Sequence, residues 1–247
     1  ISWGLCETYA FAEAMAVNEQ EFAAAFAAGV SIFVASGDDG AHDCRSVEAF
    51  ADPFERDLRL AVSSPASSPS VIAVGGTFLS VRQDGGYFEE AGWEEPLAGG
   101  GGGGGLSGVY RRPSWQAGTG VDNADSNGMR QLPDVAGPAD PASGFFVIWT
   151  EPGQGRVAAR VGGTSAAAPF WAASMLLARQ LAEREGAGTL GALGPLLYQI
   201  AGEVPPDTLF HDIIRGGNLH YSAGPGWDYA TGLGSPRVAP LARAIVA

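Results

Sequence analysis

The stretch Gly162-Gly163-Thr164-Ser165-Ala166-Ala167-Ala168-Pro169 constrains this chain most. Two glycines lead into a serine, and the residues after it, 166–185, read as a helix. Glycine reaches backbone angles that bulky residues avoid, so a tight turn can present Ser165 at the mouth of a pocket. At or just before a helix N-terminus, free N–H groups and the helix dipole favour developing negative charge. Pro169 is expected in the first turn, where its missing N–H costs little. Small neighbours leave room for a substrate backbone. These are the needs of a nucleophilic serine whose carbonyl target becomes an oxyanion. An ordinary turn with Ser165 as N-cap has the same local sequence, so the rest of the chain must discriminate.

Residues 1–4, Ile-Ser-Trp-Gly, read as the end of a buried strand. Asn18 with Glu21 is a capping-box pattern that predicts a helix over 19–28, with Gly29 as its C-cap. The apolar run 30–35 then predicts a strand. Strand, helix and strand in so short a span read as a βαβ unit with a parallel sheet. Ser36-Gly37-Asp38-Asp39-Gly40 follows at the strand's carboxyl end, the edge where open parallel sheets bind ligands. A loop over 63–70 and a third strand over 71–75 come next, then a hairpin over 78–93 around Asp84-Gly85-Gly86. The unbroken glycine run 99–105 reads as a flexible loop or linker. No Lys-Ser/Thr follows it, so it is no phosphate-binding loop. Short strands are predicted at 132–136 and 144–150. In the helix after Ser165, Phe170, Trp171, Met175, Leu176 and Leu181 recur at roughly helical spacing and predict a core face.

Residues 210–236 look loop-like and carry Asp212-Ile213 and Gly224-Pro225-Gly226-Trp227-Asp228. Two carboxylates with glycine-exposed carbonyls are hard oxygen donors that suit Ca²⁺, although the regular acidic spacing of an EF-hand is missing. A solvated acidic loop would use the same residues.

The chain has 247 residues, 46% of them hydrophobic, enough for one sizeable α/β core. A net charge of −13 argues against nucleic acid as the main partner. It also suits work in acid, where carboxylates become neutral. No apolar run is long enough to span a membrane. No signal peptide is visible at residue 1, and the opening residues read as the middle of a fold, so a processed or truncated product is expected. Cys6 and Cys44 are the only cysteines. They read either as one disulfide of a secreted protein or as two free buried thiols. The three histidines, His42, His211 and His220, are too scattered for a zinc site.

Taken together, the motifs resemble those of the sedolisins, serine-carboxyl peptidases of subtilisin-like fold. The resemblance runs in order over nearly the whole chain. Ser2-Trp3-Gly4 with Cys6-Glu7 is similar to the family's substrate-binding strand, and residues 36–40 to its oxyanion-aspartate motif. Residues 70–77, ending Val-Gly-Gly-Thr, follow suit. So do Trp93, the glycine run and Pro113-Ser114-Trp115-Gln116. Pro133-Asp134-Val135-Ala136 with Ala139-Asp140-Pro141 resembles a further family stretch. Gly163-Thr164-Ser165 with Pro169 resembles the nucleophile motif, with Gly163 where Ser is frequent. Residues 212–213 and 224–236 resemble the calcium loop.

The resemblance implies an α/β subtilisin-like fold, a mostly parallel sheet with helices on both faces, forming a peptidase domain over 1–247. It implies Ser165 as nucleophile and Asp38 as a protonated oxyanion donor. Ser2, Trp3 and Gly4 would bind an extended peptide, with Asp39 beside the scissile bond. One Ca²⁺ would be held by Asp212, Ile213, Gly224, Gly226 and Asp228. It further implies a secreted, acid-active endopeptidase or tripeptidyl peptidase, partnered by peptide or protein substrates and by its own cleaved N-terminal segment or propeptide.

The chain departs from the pattern in one respect. The family's basic Glu, supported by an Asp one helical turn later, lies upstream of the Ser-Trp-Gly strand. Glu7 and Glu13 do not match that motif, and no histidine has the flanks of a subtilisin base. The Glu/Asp pair is therefore expected on a segment upstream of these residues. A peptide-binding module without catalysis and a subtilisin-type peptidase are the alternatives.

Overall fold

The computed structural model describes residues 1–48 and 58–247. After a short strand β1 (Leu5–Cys6), helix α1 spans Ala12–Ala27 and leads to β2 (Phe33–Ala35). One helical turn, α2 (Arg45–Glu48), precedes β3 (Ser63–Ser64) and the long β4 (Ile72–Val81). Next come β5 (Tyr87–Gly92), β6 (Glu94–Glu95), β7 (Gly100–Gly101), β8 (Gly105–Arg111), β9 (Met129–Leu132) and β10 (Val135–Pro138). A hairpin of β11 (Phe145–Glu151) and β12 (Gly155–Val161) leads into α3 (Thr164–Glu185). The chain closes with α4 (Leu193–Glu203), β13 (Phe210–His211), β14 (Ser235–Pro236) and α5 (Val238–Val246).

The central sheet has the order β10-β4-β2, all parallel, with β5 returning antiparallel from β4. In register, Phe33 faces Ile72, and Ala35 and Val135 both face Val74. Side chains alternate across the sheet. Phe33, Ala35, Ile72, Val74 and Val135 point into one core, shared with Trp171 and Met175 of α3. Val34 and Ala73 point into a second core that Phe22 of α1 covers. Helices therefore pack on both faces, as expected for the subtilisin-like α/β fold. An ion pair between Arg130 Nη1 and Asp134 Oδ1, 2.7 Å long and fully buried, joins β9 to the residue that precedes β10. Asp134 Oδ2 also accepts from the Ala73 N–H of β4 at 2.7 Å. Removing one partner of such a buried pair costs about 3–5 kcal/mol.

Several local expectations are corrected. Residues 1–4 are exposed and not in a strand, but Ile1 is tied along β2 by hydrogen bonds from its backbone nitrogen to the Phe33 carbonyl and from the Ala35 N–H to its own carbonyl. Helix α1 starts at Ala12, so Asn18 is interior and caps nothing. The alanine-rich residues before it propagate a helix well enough to override the capping signal. Gly29, at φ +77°, does terminate the helix. Leu176 is exposed on α3, whereas Trp171 and Met175 are buried. Helices α4 and α5 were unforeseen. Their buried Leu193, Leu197 and Ile200, and Leu241 and Ile245, carry the helical period that identifies them.

The glycine run is the largest correction. It is a buried, close-packed segment that carries β7 and opens β8, and not a linker. A Cβ on Gly103 would lie 1.9 Å from the Ser36 carbonyl oxygen, and one on Gly104 would lie 2.0 Å from that of Tyr229. Side chains are excluded because three backbones meet there, a use of glycine distinct from flexibility.

Candidate active site

Three pieces of chain converge at the carboxyl end of β2: residues 1–6, the loop 36–44 and the first turn of α3. The glycine run holds the middle piece from below. The Gly101 N–H donates to the Asp38 carbonyl at 2.9 Å, Gly40 N–H to Gly101 at 2.9 Å, and Gly103 N–H to Gly37 at 2.8 Å. Ser36 Oγ donates to the Gly103 carbonyl at 2.7 Å. The loop is thus braced by backbone, and Asp38 projects from a rigid turn.

Thr164 clamps that turn to α3. Asp38 Oδ1 accepts from the Thr164 N–H at 2.7 Å and lies 2.8 Å from its hydroxyl. The same hydroxyl oxygen accepts from the Gly37 N–H at 3.2 Å. Thr164 is buried. No local sequence signal marks it as functional, although it sits between the glycine and the serine of the opening motif. Gly163 precedes it at φ +84°, where a Cβ would lie 2.6 Å from Asp38 Oδ2. Glycine here leaves that second carboxyl oxygen room.

Ser165 is the second residue of α3. Its Oγ donates to the Ser2 carbonyl at 3.1 Å, and Ser2 Oγ donates to the Ser165 carbonyl at 2.8 Å. Beyond Ser2, Gly4 is packed so tightly that a Cβ would lie 2.2 Å from Ser63 Oγ. Cys6 is bonded to Cys44 in a disulfide, which settles the open question of their pairing. That bond ties the 1–6 segment to the Asp38 loop. Closing a loop of 38 residues' separation removes unfolded-chain entropy, worth about 4 kcal/mol in the chain-entropy account.

A cavity of about 430 Å³ opens between these pieces, lined among others by Trp3, Gly4, Asp38, Asp39, Asp43 and Ser165. Five residues singled out in the sequence therefore share one cavity, with Ser2 bonded at its edge. Asp43 was not foreseen. Burial raises its carboxyl to about 7, reinforced by the neighbouring Asp39 and Asp38, against a lowering hydrogen bond from Ser63. Burial also raises Asp39, opposed by Ser46 and Arg45. The wall is thus acidic and partly neutralised by proton uptake.

The carboxylates and the histidine that the sequence sets aside as bases lie outside this cavity. Glu7 accepts from Ser107 Oγ and the Gly108 N–H, both at 2.6 Å. Glu13 is exposed on α1. His42 stands 3.4 Å from the Arg59 carbonyl and edge-on to His220.

The calcium-loop residues form a second locus. Asp212 accepts from the Gly226 N–H at 3.0 Å, and Asp228 from the Gly224 N–H at 2.9 Å. Both carboxylates thus converge on one three-residue turn. Asp228 also accepts from the Ala230 and Thr231 N–H groups at 2.8 Å. Among the described residues no group of three or more His, Cys, Asp or Glu could hold a metal ion. Any ion here would depend on backbone carbonyls.

A parallel sheet covered by helices on both faces, with a serine at a helix N-terminus and a strand-end aspartate lining one cavity, has the architecture of the subtilisin-like fold. A sequence model of the Subtilase family matches residues 1–190, and the chain belongs to that family. Its relatives bear out the sedolisin resemblance. Kumamolisin of Bacillus sp. (strain MN-32) is 39% identical over 245 residues, covering 96% of this chain and 40% of that protein. Sedolisin of Pseudomonas sp. (strain 101) is 35% identical over 250 residues, covering 98% and 39%. A solved structure of Pseudomonas sedolisin, described as a serine-carboxyl proteinase complexed with two molecules of pseudo-iodotyrostatin, superposes with a TM-score of 0.83 at 33% identity. That match covers 99% of this chain and 64% of the sedolisin chain. The chain spans about two fifths of the length of these curated relatives.

Proposed function

We propose that the protein carrying this chain is a secreted serine-carboxyl peptidase that hydrolyses peptide bonds in acid. Ser165 is the nucleophile. It attacks the scissile carbonyl, and Asp38, protonated, donates to the oxygen as it becomes an oxyanion. Loss of the amine leaves an acyl-enzyme, which water hydrolyses. Ser2, Trp3 and Gly4 carry the extended peptide, with Asp39 beside it in the cavity. The base is assigned to a Glu supported by an Asp, outside these residues, and the protein's own N-terminal segment or propeptide is a partner alongside peptide substrates. The observation that carries this reading is the shared cavity of Ser165 and Asp38, with Thr164 bonding the two pieces of chain together. The raised Asp43 supports acid work: its neutral form fits the buried site, and stability falls as pH rises from its unfolded value of 3.8 through about 7. The disulfide supports an oxidising, extracellular setting. No helix among the described residues is long and apolar enough to cross a membrane.

The test is a pH–rate profile of the full-length protein on a peptide substrate from about pH 3 to about pH 9. A maximum in acid is expected. A maximum near neutral or above would replace the reading with a subtilisin-type peptidase. Peptide binding without turnover at any pH would favour a binding module instead. That second reading draws on the hydrogen bond of Ser165 Oγ, which goes to a backbone carbonyl and not to a base.

We also propose one Ca²⁺ at the second locus. The donor chemistry fits: the Asp212 and Asp228 carboxylates are bonded to the two ends of the 224–226 turn, and with the carbonyls of Ile213, Gly224 and Gly226 they would offer hard oxygens. A bound ion would cross-link residues 212–213 to 224–228 and stabilise the fold. Chelation of the full-length protein is expected to lower its melting temperature by roughly 5–10 °C if the ion had been near 100-fold above its Kd. An unchanged melting temperature after chelation would remove calcium from the proposal.

A further inference from the structure

Pro169 lies inside α3, in its second turn and not its first. In a helix the residue at i+4 supplies the N–H for the carbonyl at i. Proline has none, so the Ser165 carbonyl loses its helical donor at 169. That carbonyl belongs to the residue whose side chain must be aimed most accurately. It is nevertheless satisfied, by Ser2 Oγ at 2.8 Å, from 163 positions away in sequence. The same Ser165–Ala166 peptide is held at its other end, where the Ala166 N–H donates to the Gly163 carbonyl at 2.9 Å. Upstream, Asp38 holds the Thr164 N–H. Ser2 itself is anchored through Ile1, whose backbone nitrogen and carbonyl bond to Phe33 and Ala35 of β2.

We propose that Ser2 is a positioning residue for Ser165: its hydroxyl replaces the N–H that Pro169 lacks and fixes the peptide plane from which Ser165 Oγ is presented. This rests on Ser165 being the nucleophile. The role belongs to the Ser2 side chain and is separate from its backbone carbonyl, which accepts from Ser165 Oγ. A substitution can therefore remove one without the other. Proline at 169 and a hydroxyl at 2 are then two halves of one device, and each has meaning only with the other.

The coupling can be measured in the full-length protein with Ser2→Ala, Ser2→Thr, Pro169→Ala and the double variant Ser2→Ala/Pro169→Ala. Ser2→Ala is expected to lower kcat about tenfold and change KM by less than about twofold, as for loss of one hydrogen bond felt in the transition state. Ser2→Thr keeps the hydroxyl and most of the rate. In the Pro169→Ala background the new backbone N–H returns the lost donor, so adding Ser2→Ala should cost less than about twofold. A wild-type kcat for Ser2→Ala, or an equal loss in both backgrounds, overturns the proposal. Should Ser2→Ala alone unfold, the double variant decides: recovery of rate supports the coupling and a persistent loss refutes it. Failure of the underlying reading shows separately, as full hydrolysis by Ser165→Ala.

Discussion

Replacing Ser165 by alanine in the full-length protein is expected to abolish peptide hydrolysis. The chemistry needs a nucleophile at the mouth of the cavity, and Ser165 is the serine that α3 carries to that wall beside Asp38. Removing a catalytic serine eliminates the acyl-enzyme route altogether, a loss of about 10⁴-fold or more in kcat. Substrate binding should survive, because Trp3 and Gly4 still line the cavity. Melting temperature should change little, since Ser165 Oγ makes one exposed hydrogen bond to Ser2. The measurement is steady-state hydrolysis with thermal melting on the same samples. Hydrolysis near the wild-type rate by a folded Ser165→Ala protein would show that the nucleophile is another group.

Asp38 should show the second largest effect, and its two substitutions should differ. Asp38→Ala removes the oxyanion donor, which elsewhere is worth about 10²–10³ in kcat. It also strips the Thr164 N–H of its partner and leaves the Thr164 hydroxyl bonded to Gly37 alone, so the turn loosens against α3. Asp38→Asn keeps an oxygen for Thr164 and adds an N–H₂ that donates at any pH. Asparagine should therefore cost less than alanine. Equal losses in the two variants would sink the oxyanion role. A loss in Asp38→Ala that tracked a fall in melting temperature would instead mark Asp38 as a clamp for Thr164.

The helix after Ser165, the parallel strands and the hairpin around Asp84 were legible in the sequence because periodicity and turn chemistry are local. So were Ser165, Asp38, Asp39, Trp3 and Gly4 as candidates, since short motifs carry them, and the cavity gathers all five. Legibility failed where a residue's partner lies far away. Thr164 looks like any small residue until Gly37 and Asp38 are placed against it. Asp43 has no motif at all, and only its burial beside Asp39 makes it unusual. Pro169 read as a first-turn proline because helix starts are uncertain by a residue or two, and that shift hid the helical donor missing at the Ser165 carbonyl.

By itself, then, the sequence determined the family, the α/β architecture, the order of the motifs and the residue types able to do acyl-transfer chemistry. Hydrophobic period and local turn preference act over a few residues, and a string records them. Tertiary structure alone decided that the glycine run is a rigid brace, that Cys6 pairs with Cys44 and that Ser2 and Ser165 exchange hydrogen bonds. Each of these joins segments remote in sequence. A Cβ is forbidden at Gly103 by the Ser36 carbonyl, not by any neighbour in the chain. Such exclusions and hydrogen bonds exist only once the strands have packed, because they depend on distances in space that no local pattern encodes.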